Sequence, residues 1–281
     1  MYLRHSVEHP GRWRLSARAV AAAHLLKRSR RKRTVRLREG GKLRVDGSSQ
    51  TGRIVYATGT YEPATTRIVR KVLRRGDLMV DVGANIGFFC IVAARSVGPG
   101  GRVVAFEPSA DSRDQLLANV ALNRLENVEV HSEALGATSA RAFFYPGPAA
   151  DSGLASLRPL PDSLPIPVSQ VRFDDIERGP RPVRLVKIDV EGGELSVLQG
   201  MTRCLDADRP DVVVEVTDSF LRTMNGSAAE LFGFLQAHGY RMYRIGDDGS
   251  LRHIPDSVHL ARCPGQFNAY CTTKGEGILS C

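Results

Sequence analysis

Four short segments carry side chains suited to chemistry, and each follows an apolar, β-branched run. The first is Asp81-Val82-Gly83-Ala84-Asn85-Ile86-Gly87. Glycine has no Cβ, so such a turn lets the backbone pass close to a ligand and opens a helix N-terminus. The spacing is Gly-x-x-x-Gly, with Asn85 where a dinucleotide fingerprint needs glycine. A pyrophosphate cradle is therefore disfavoured, and Asp81 suits a cationic group rather than a phosphate. The second segment is Glu107-Pro108. A carboxylate there can accept hydrogen bonds from both ribose hydroxyls. The third is Ser132-Glu133-Ala134, where a carboxylate or backbone amide can read an adenine edge. These groups together suit an adenosine with a positively charged, phosphate-free tail, and S-adenosylmethionine fits that description.

The fourth segment is Lys187-Ile188-Asp189-Val190-Glu191-Gly192-Gly193-Glu194. Methyl transfer from a sulfonium is an in-line displacement, so the protein chiefly positions the acceptor and excludes water. An alcohol acceptor also gains from a general base, worth about 10²–10⁴-fold. Period-two alternation sends Lys187, Asp189 and Glu191 to one side, and Ile188 and Val190 to the other. Asp189 or Glu191 is the expected base, with Lys187 assisting. The competing structural reading is a Lys187–Glu191 ion pair, with Glu194 capping the next helix. Asp189, Glu191 and Glu215 are also oxygen donors of the kind Mg²⁺ takes. Carboxylates at strand ends more often contact cofactor or substrate, so no metal is expected. His253, His259, Cys263 and Cys271 lack any standard zinc spacing. Those histidines would serve as a base only if the C-terminal segment folds over the site.

These residues need a frame. Strands are expected at 78–82, 102–106, 128–131, 141–145, 168–171, 183–188, 211–216, 240–245 and 267–271. Helices are expected at 63–73, 88–97, 109–123, 194–205 and 228–238. Short β-branched strands alternating with helices mean βαβ units and a mostly parallel sheet with helices on both faces. Ligands then sit beyond the carboxyl ends of the strands, where all four segments lie. Residues 36–56 read as a small β-hairpin or meander, and Trp13 to Arg33 as a basic amphipathic helix rather than a signal peptide. The expected division is a basic N-terminal extension, 1–58, and a main domain, 59–281.

The same segments, with Asn119-Val120-Ala121-Leu122-Asn123 and Tyr61-Glu62-Pro63, resemble the FkbM family of S-adenosylmethionine-dependent methyltransferases. The resemblance covers roughly residues 60–245, and Gly193 stands where the family commonly has Ala. Glu215 stands where the family tends to place a carboxylate. The resemblance implies a class I, Rossmann-like methyltransferase fold with an antiparallel C-terminal strand. It also implies methyl transfer to a hydroxyl of a sugar, macrolide or other secondary metabolite. The cofactor-binding residues implied are Glu62, Asp81, Gly83, Ala84, Asn85, Gly87, Glu107, Pro108, Glu133, Ala134 and Asp189. The Pro-rich stretch 146–167 is expected to help set substrate choice.

Composition narrows the alternatives. With 42% hydrophobic residues among 281, wholesale disorder is excluded, and no apolar run is long enough to cross a membrane. Five scattered cysteines fit a reducing cytoplasm better than a disulfide scaffold. Of the net +9, residues 1–60 supply 15 Lys and Arg against 3 Asp and Glu, leaving a mildly acidic body. The run Lys27 to Arg33 is a solvated arm, or a contact for an anionic lipid surface, glycan or nucleic acid. A membrane-peripheral placement would follow from the lipid contact. Acidic groups at the site would repel phosphates, so an RNA methyltransferase is the alternative rather than the main reading. Exocyclic-amine methylases also carry an Asn/Asp-Pro-Pro-aromatic loop where this chain has Asp189-Val190-Glu191-Gly192. The glycine spacing disfavours a nicotinamide-dependent oxidoreductase. The intact set Asp81, Gly83, Gly87 and Glu107 argues against a non-catalytic relic.

Overall fold

The structure, a computed structural model, describes residues 17–29, 31–147, 156–160, 163–263 and 265–274. The N-terminal part contains helix α1 (Ala17–Ser29), the antiparallel hairpin β1 (Arg33–Arg36) and β2 (Lys42–Val45), and helix α2 (Gln50–Thr58). Helix α1 ends before Arg33, which belongs to β1, and residues 13–16 lie outside the described set. The expected meander stops at β2, because residues 50–58 are helical. Ser49 caps that helix by accepting from the Gly52 amide, and Gly59 ends it in a left-handed conformation. Ile54-Val55-Tyr56 favours a strand locally, but burial of Val55 on a capped helix wins.

The body alternates strand and helix. It runs α3 (Pro63–Val72), β3 (Leu78–Val82), α4 (Phe88–Val97), β4 (Arg102–Phe106), α5 (Ala110–Leu122) and β5 (Val128–His131). Then come β6 (Ala134–Leu135), β7 (Ala140–Phe144), β8 (Ile166–Val171) and β9 (Val183–Ile188). Helices α6 (Glu194–Gln199) and α7 (Thr202–Ala207) replace the single helix expected there. They break where Gly200 lies against the Gly136 carbonyl. The chain continues with β10 (Asp211–Val216), α8 (Asp218–Thr223), α9 (Ala228–Ala237), β11 (Arg241–Ile245), β12 (Leu251–Ile254), α10 (Ser257–Ala261) and β13 (Phe267–Thr272). Helices α8 and α10 and strands β6 and β12 are additions to the expected set.

The main sheet has the order β12-β11-β13-β10-β9-β3-β4-β5. Its β10-β9-β3-β4-β5 half is parallel, and β13 lies antiparallel between β10 and β11. The expected class I architecture is therefore present, antiparallel C-terminal strand included. Strands β6, β8 and β7 form a separate small sheet beside it.

Period two along each buried strand divides the core. Val80, Val82, Val186, Ile188, Val212 and Val214 pack with α6 to α9 on one face. Met79, Val103, Ala105, Leu185 and Val213 pack with α3, α4 and α5 on the other. The N-terminal elements join that second face, for Leu26, Leu43, Val45 and Val55 belong to the same cluster. Helix α1 turns Ala19, Ala23 and Leu26 inward, at i, i+4 and i+7, and lies against α2. The side of α1 that carries Ala19, Ala23 and Leu26 is thus covered by the protein itself. Among the described residues no helix is long and apolar enough to cross a membrane.

Leu26 is 2% exposed and Leu25 is 67% exposed. Leu26→Ala should lower the unfolding free energy by about 2–4 kcal/mol in a denaturant titration. Leu25→Ala should change it by less than ~0.5 kcal/mol. Equal, small effects would mean that α1 is not part of the folded body.

Candidate active site

Three adjacent central strands each carry one charged residue near the carboxyl end of an apolar run. These are Asp81 in β3, Lys187 in β9 and Glu215 in β10. All three fall on the α4 face, as alternation with Met79, Leu185 and Val213 requires. Asp81 is the direct register partner of Lys187. Glu107 follows β4 on the same face, in step with Val103 and Ala105.

Lys187 is 3% exposed. Its Nζ donates to Asp189 Oδ2 at 2.9 Å and lies 4.6 Å from the centre of the Phe89 ring. Burial works against the ammonium, but Asp189, Asp81 and Glu62 together outweigh it and raise the pKa. Lys187 is therefore a fixed cation and no proton acceptor. The pairing runs to Asp189 rather than to Glu191, the partner of the competing structural reading. Glu194 braces the loop by accepting from the Gly192 amide at 3.0 Å and the Val190 amide at 3.3 Å. The residue capping α6 is Gly193.

Asp81 is buried, accepts from the Cys90 thiol at 3.1 Å, and leaves Oδ1 without a hydrogen-bond partner among the described residues. Burial raises its pKa, against the pull of Lys187 and the thiol. The turn that follows is shaped by internal packing. Gly83 has φ +80°, and a Cβ there would lie 1.9 Å from the Asp189 carbonyl oxygen. Its close approach is thus to the neighbouring loop, so Gly83 joins the β3 and β9 ends. Gly87 supplies the left-handed residue that opens α4. The Ala84 amide is spent on the Phe106 carbonyl. Asn85 stands at φ +48°, and its Oδ1 is buried without a partner among the described residues.

Glu107 is 6% exposed and is fastened by two backbone amides, Asn85 to Oε2 at 2.7 Å and Ser109 to Oε1 at 2.9 Å. A carboxylate has about four lone-pair sites, so each oxygen can still accept once more. Beyond it, Pro108 leads into α5, whose Arg113 bonds the Glu107 and Pro108 carbonyls. His131 stacks on Phe106 with centroids 4.8 Å apart and faces Glu133 at 3.8 Å. Ala134 is buried in β6.

On the other side of Lys187, oxygens of Glu62, Asp189 and Glu215 all lie within 4.8 Å of one another. The acidic set expected from the sequence was Asp189, Glu191 and Glu215; the structure adds Glu62, which precedes α3, to the closest group. Asn268 Nδ2 donates to Glu62 Oε2 at 3.0 Å, and the Gln266 side-chain amide donates to Glu215 Oε1. Both partners come from β13 or the residue before it, more than fifty positions from Glu215, and no local spacing announces them. Glu191 sits at φ +58° beside this group, and its carbonyl accepts from Arg158 Nε at 3.4 Å. Arg158 also covers the Phe220 ring at 4.1 Å. This brings the Pro-rich segment and α8 to the same mouth. Of the C-terminal histidines, His253 packs on Tyr243 and His259 bonds Asp256 at 2.8 Å. Neither belongs to this group.

Burial pushes Glu107 from its ordinary 4.5 up to about 7, although both amides and Arg113 pull it down. Glu194 is likewise pushed by burial to about 7. A carboxyl whose folded pKa is raised binds more protons folded than unfolded, so stability falls as pH rises from 4.5 toward 7. Each group contributes up to about 3 kcal/mol to that slope. The unfolding free energy of the ligand-free protein should decline across this window. Glu107→Gln should make the decline shallower, as measured by denaturant titration at a series of pH values. A profile that rises through the window would contradict this account.

Sequence comparison gives this arrangement its relatives. Residues 81–242 match the methyltransferase FkbM domain. The chain is 34% identical to 31-O-demethyl-FK506 methyltransferase FkbM of Streptomyces tacrolimicus, over 60% of this chain and 74% of that protein. It is 31% identical to the hexuronic acid methyltransferase AglP of Haloferax volcanii, over 55% of this chain and 62% of the relative. A crystal structure of methyltransferase FkbM from Methylobacillus flagellatus KT aligns with TM-score 0.46 at 17% identity, covering 90% of this chain and 59% of that one. The family model alone spans more than half of the sequence and contains Asp81, Glu107, Lys187, Asp189 and Glu215. The chain belongs to the FkbM methyltransferase family.

Proposed function

We propose that this methyltransferase uses S-adenosylmethionine to methylate a hydroxyl of a small molecule or saccharide. The observation that carries the reading is the set of buried acceptor atoms at the β3 and β4 ends. Asp81 Oδ1 and Asn85 Oδ1 have no partner among the described residues, and Glu107 has lone pairs to spare. Buried acceptors without donors cost stability, so they suit a ligand rich in donors and positive charge. Such a ligand matches ribose hydroxyls, an ammonium and a sulfonium, and a phosphate would be repelled.

In this reading Glu107 takes the ribose, while Pro108, Glu133 and Ala134 flank the adenine. Asp81, Gly83, Ala84, Asn85 and Gly87 form the floor, and Glu62 and Asp189 face the cationic tail. When bound, the cofactor supplies a methyl group already activated for displacement. Lys187 orients Asp189 through their hydrogen bond. The acidic group to which Asp189 and Glu191 belong then receives the hydroxyl proton and holds the acceptor in line. One relative's name, an O-demethyl compound's methyltransferase, supports an oxygen acceptor, and the other's, a hexuronic acid methyltransferase, supports a saccharide.

Calorimetry with S-adenosylhomocysteine tests the cofactor assignment. Wild-type protein should bind, and Glu107→Ala should lose at least ~10²-fold in affinity, the worth of two hydrogen bonds to a charged group. Undiminished binding by a folded Glu107→Ala protein would move the cofactor away from β4 and sink the reading. Transfer of labelled methyl to hydroxylated metabolites, but not to RNA, should follow.

A further inference from the structure

Glu62, Asp189 and Glu215 reach one point from three separate elements, and each is held there by a nitrogen donor. Asn268 holds Glu62, Lys187 holds Asp189 and Gln266 holds Glu215. Glu215 is the most buried of the three, at 7% exposure. Gln266 occupies Oε1, whereas Oε2 is buried with no hydrogen-bond partner among the described residues. The charged groups that weigh most on Glu215 are Asp189, Glu191, Glu62 and Glu194, all acidic. The buried cation beside them, Lys187, is bonded to Asp189 and shared with Asp81 and Glu62, while Arg158 at the mouth bonds the Glu191 carbonyl. Carboxylates this close cannot all stay ionised beside one ammonium, so the group must retain a proton. The bare, buried Oε2 is the atom best placed to carry it.

We propose that Glu215 stores a proton in the ligand-free protein, surrenders it on binding the cationic methyl donor, and then takes the proton of the acceptor hydroxyl. The inference rests on S-adenosylmethionine being the donor. In the transfer step the acceptor oxygen bonds the methyl carbon as the carbon–sulfur bond breaks. The bonding pair stays on sulfur, leaving a neutral thioether, and the hydroxyl proton passes to Glu215 Oε2. The cycle closes, because the site then has the protonation it began with. The proton lost overall is the one released when the donor bound. Burial, then Asp189, Glu191, Glu62 and Glu194, push this carboxyl well above the usual range, in keeping with a stored proton. Asp189, engaged by Lys187, is left to position rather than to accept.

Infrared spectroscopy and calorimetry test this without an acceptor. At about pH 8.5, above the range in which Glu107 and Glu194 titrate, the ligand-free wild type should show the carbonyl band of a protonated carboxyl that Glu215→Gln lacks. Adding S-adenosylmethionine should remove it. Titrations at that same pH in buffers of different ionisation enthalpy should show about one proton released per S-adenosylmethionine bound and none for the uncharged-sulfur S-adenosylhomocysteine. Glu215→Gln should bind both and release none. Should that variant not fold, the band's disappearance on adding donor to the wild type still decides. No such band, a band that millimolar Mg²⁺ removes, or equal release with the two ligands would overturn the assignment. So would unchanged release in a folded Glu215→Gln protein. If the band is present but neither ligand binds, the donor reading falls and the base assignment falls with it.

Discussion

The site depends on one buried ammonium. Lys187 sits at the centre of the sheet, with Asp81 across from it in β3 and Asp189 two residues on. A lone charge at that depth would cost several kcal/mol, and so would each carboxylate. Together they are tolerable, and each fixes the others. Removing the ammonium would leave Asp81, Asp189 and Glu62 repelling one another in a poorly hydrated space, so the carboxylates' positions are a consequence of Lys187. The Phe89 ring beneath Nζ adds a face that favours a cation and excludes water.

Strand period explains why the charges gather where they do. In β3, β9 and β10 the charged residue keeps step with apolar side chains packed against α4 and its neighbours. A shift of one residue in any of these strands would send the charge into the opposite core, among Val186, Ile188 and Val214. Register is therefore specified twice, by apolar packing and by the Asp81–Lys187 pairing. The Gly83–Asp189 contact then locks the two strand ends at a separation only glycine allows.

The parallel strands were legible because each is short and rich in β-branched or other apolar residues, with Gly, Pro or charge at its bounds. Strands 78–82, 102–106, 128–131, 183–188 and 211–216 coincide with the expectation. Strand β12 was not, since Leu251-Arg252-His253-Ile254 is a short, mostly exposed edge with no apolar run to read. The helix at 50–58 was hidden by β-branched residues, though Ser49 and Gly59 are the cap signals that mark it. At the site, residue types were readable and adjacency was not. Glu62 meets Glu215 only because the strand order is β10-β9-β3, and Gln266 and Asn268 arrive on a strand inserted from the far end of the chain. Such contacts follow from topology, which local spacing does not encode.

Backbone conformation shows how firmly the frame holds this arrangement. Glu62, Asn85 and Glu191 all have left-handed φ, at 41°, 48° and 58°. Side chains other than glycine pay on the order of 1 kcal/mol or more for that geometry. At each position the geometry brings a group to the pocket. Glu62 turns its carboxylate toward Asp189 and Glu215, and Asn85 aims its amide at Glu107. Glu191 sets its carbonyl against Arg158. Glycine would relieve the strain but forfeit the Glu62 carboxylate and the Asn85 side-chain amide. The strain persists because β3, β9 and α3 are buried on apolar faces that outweigh it, so a rigid hydrophobic core is what allows an acidic, partly unsatisfied pocket to exist at its edge.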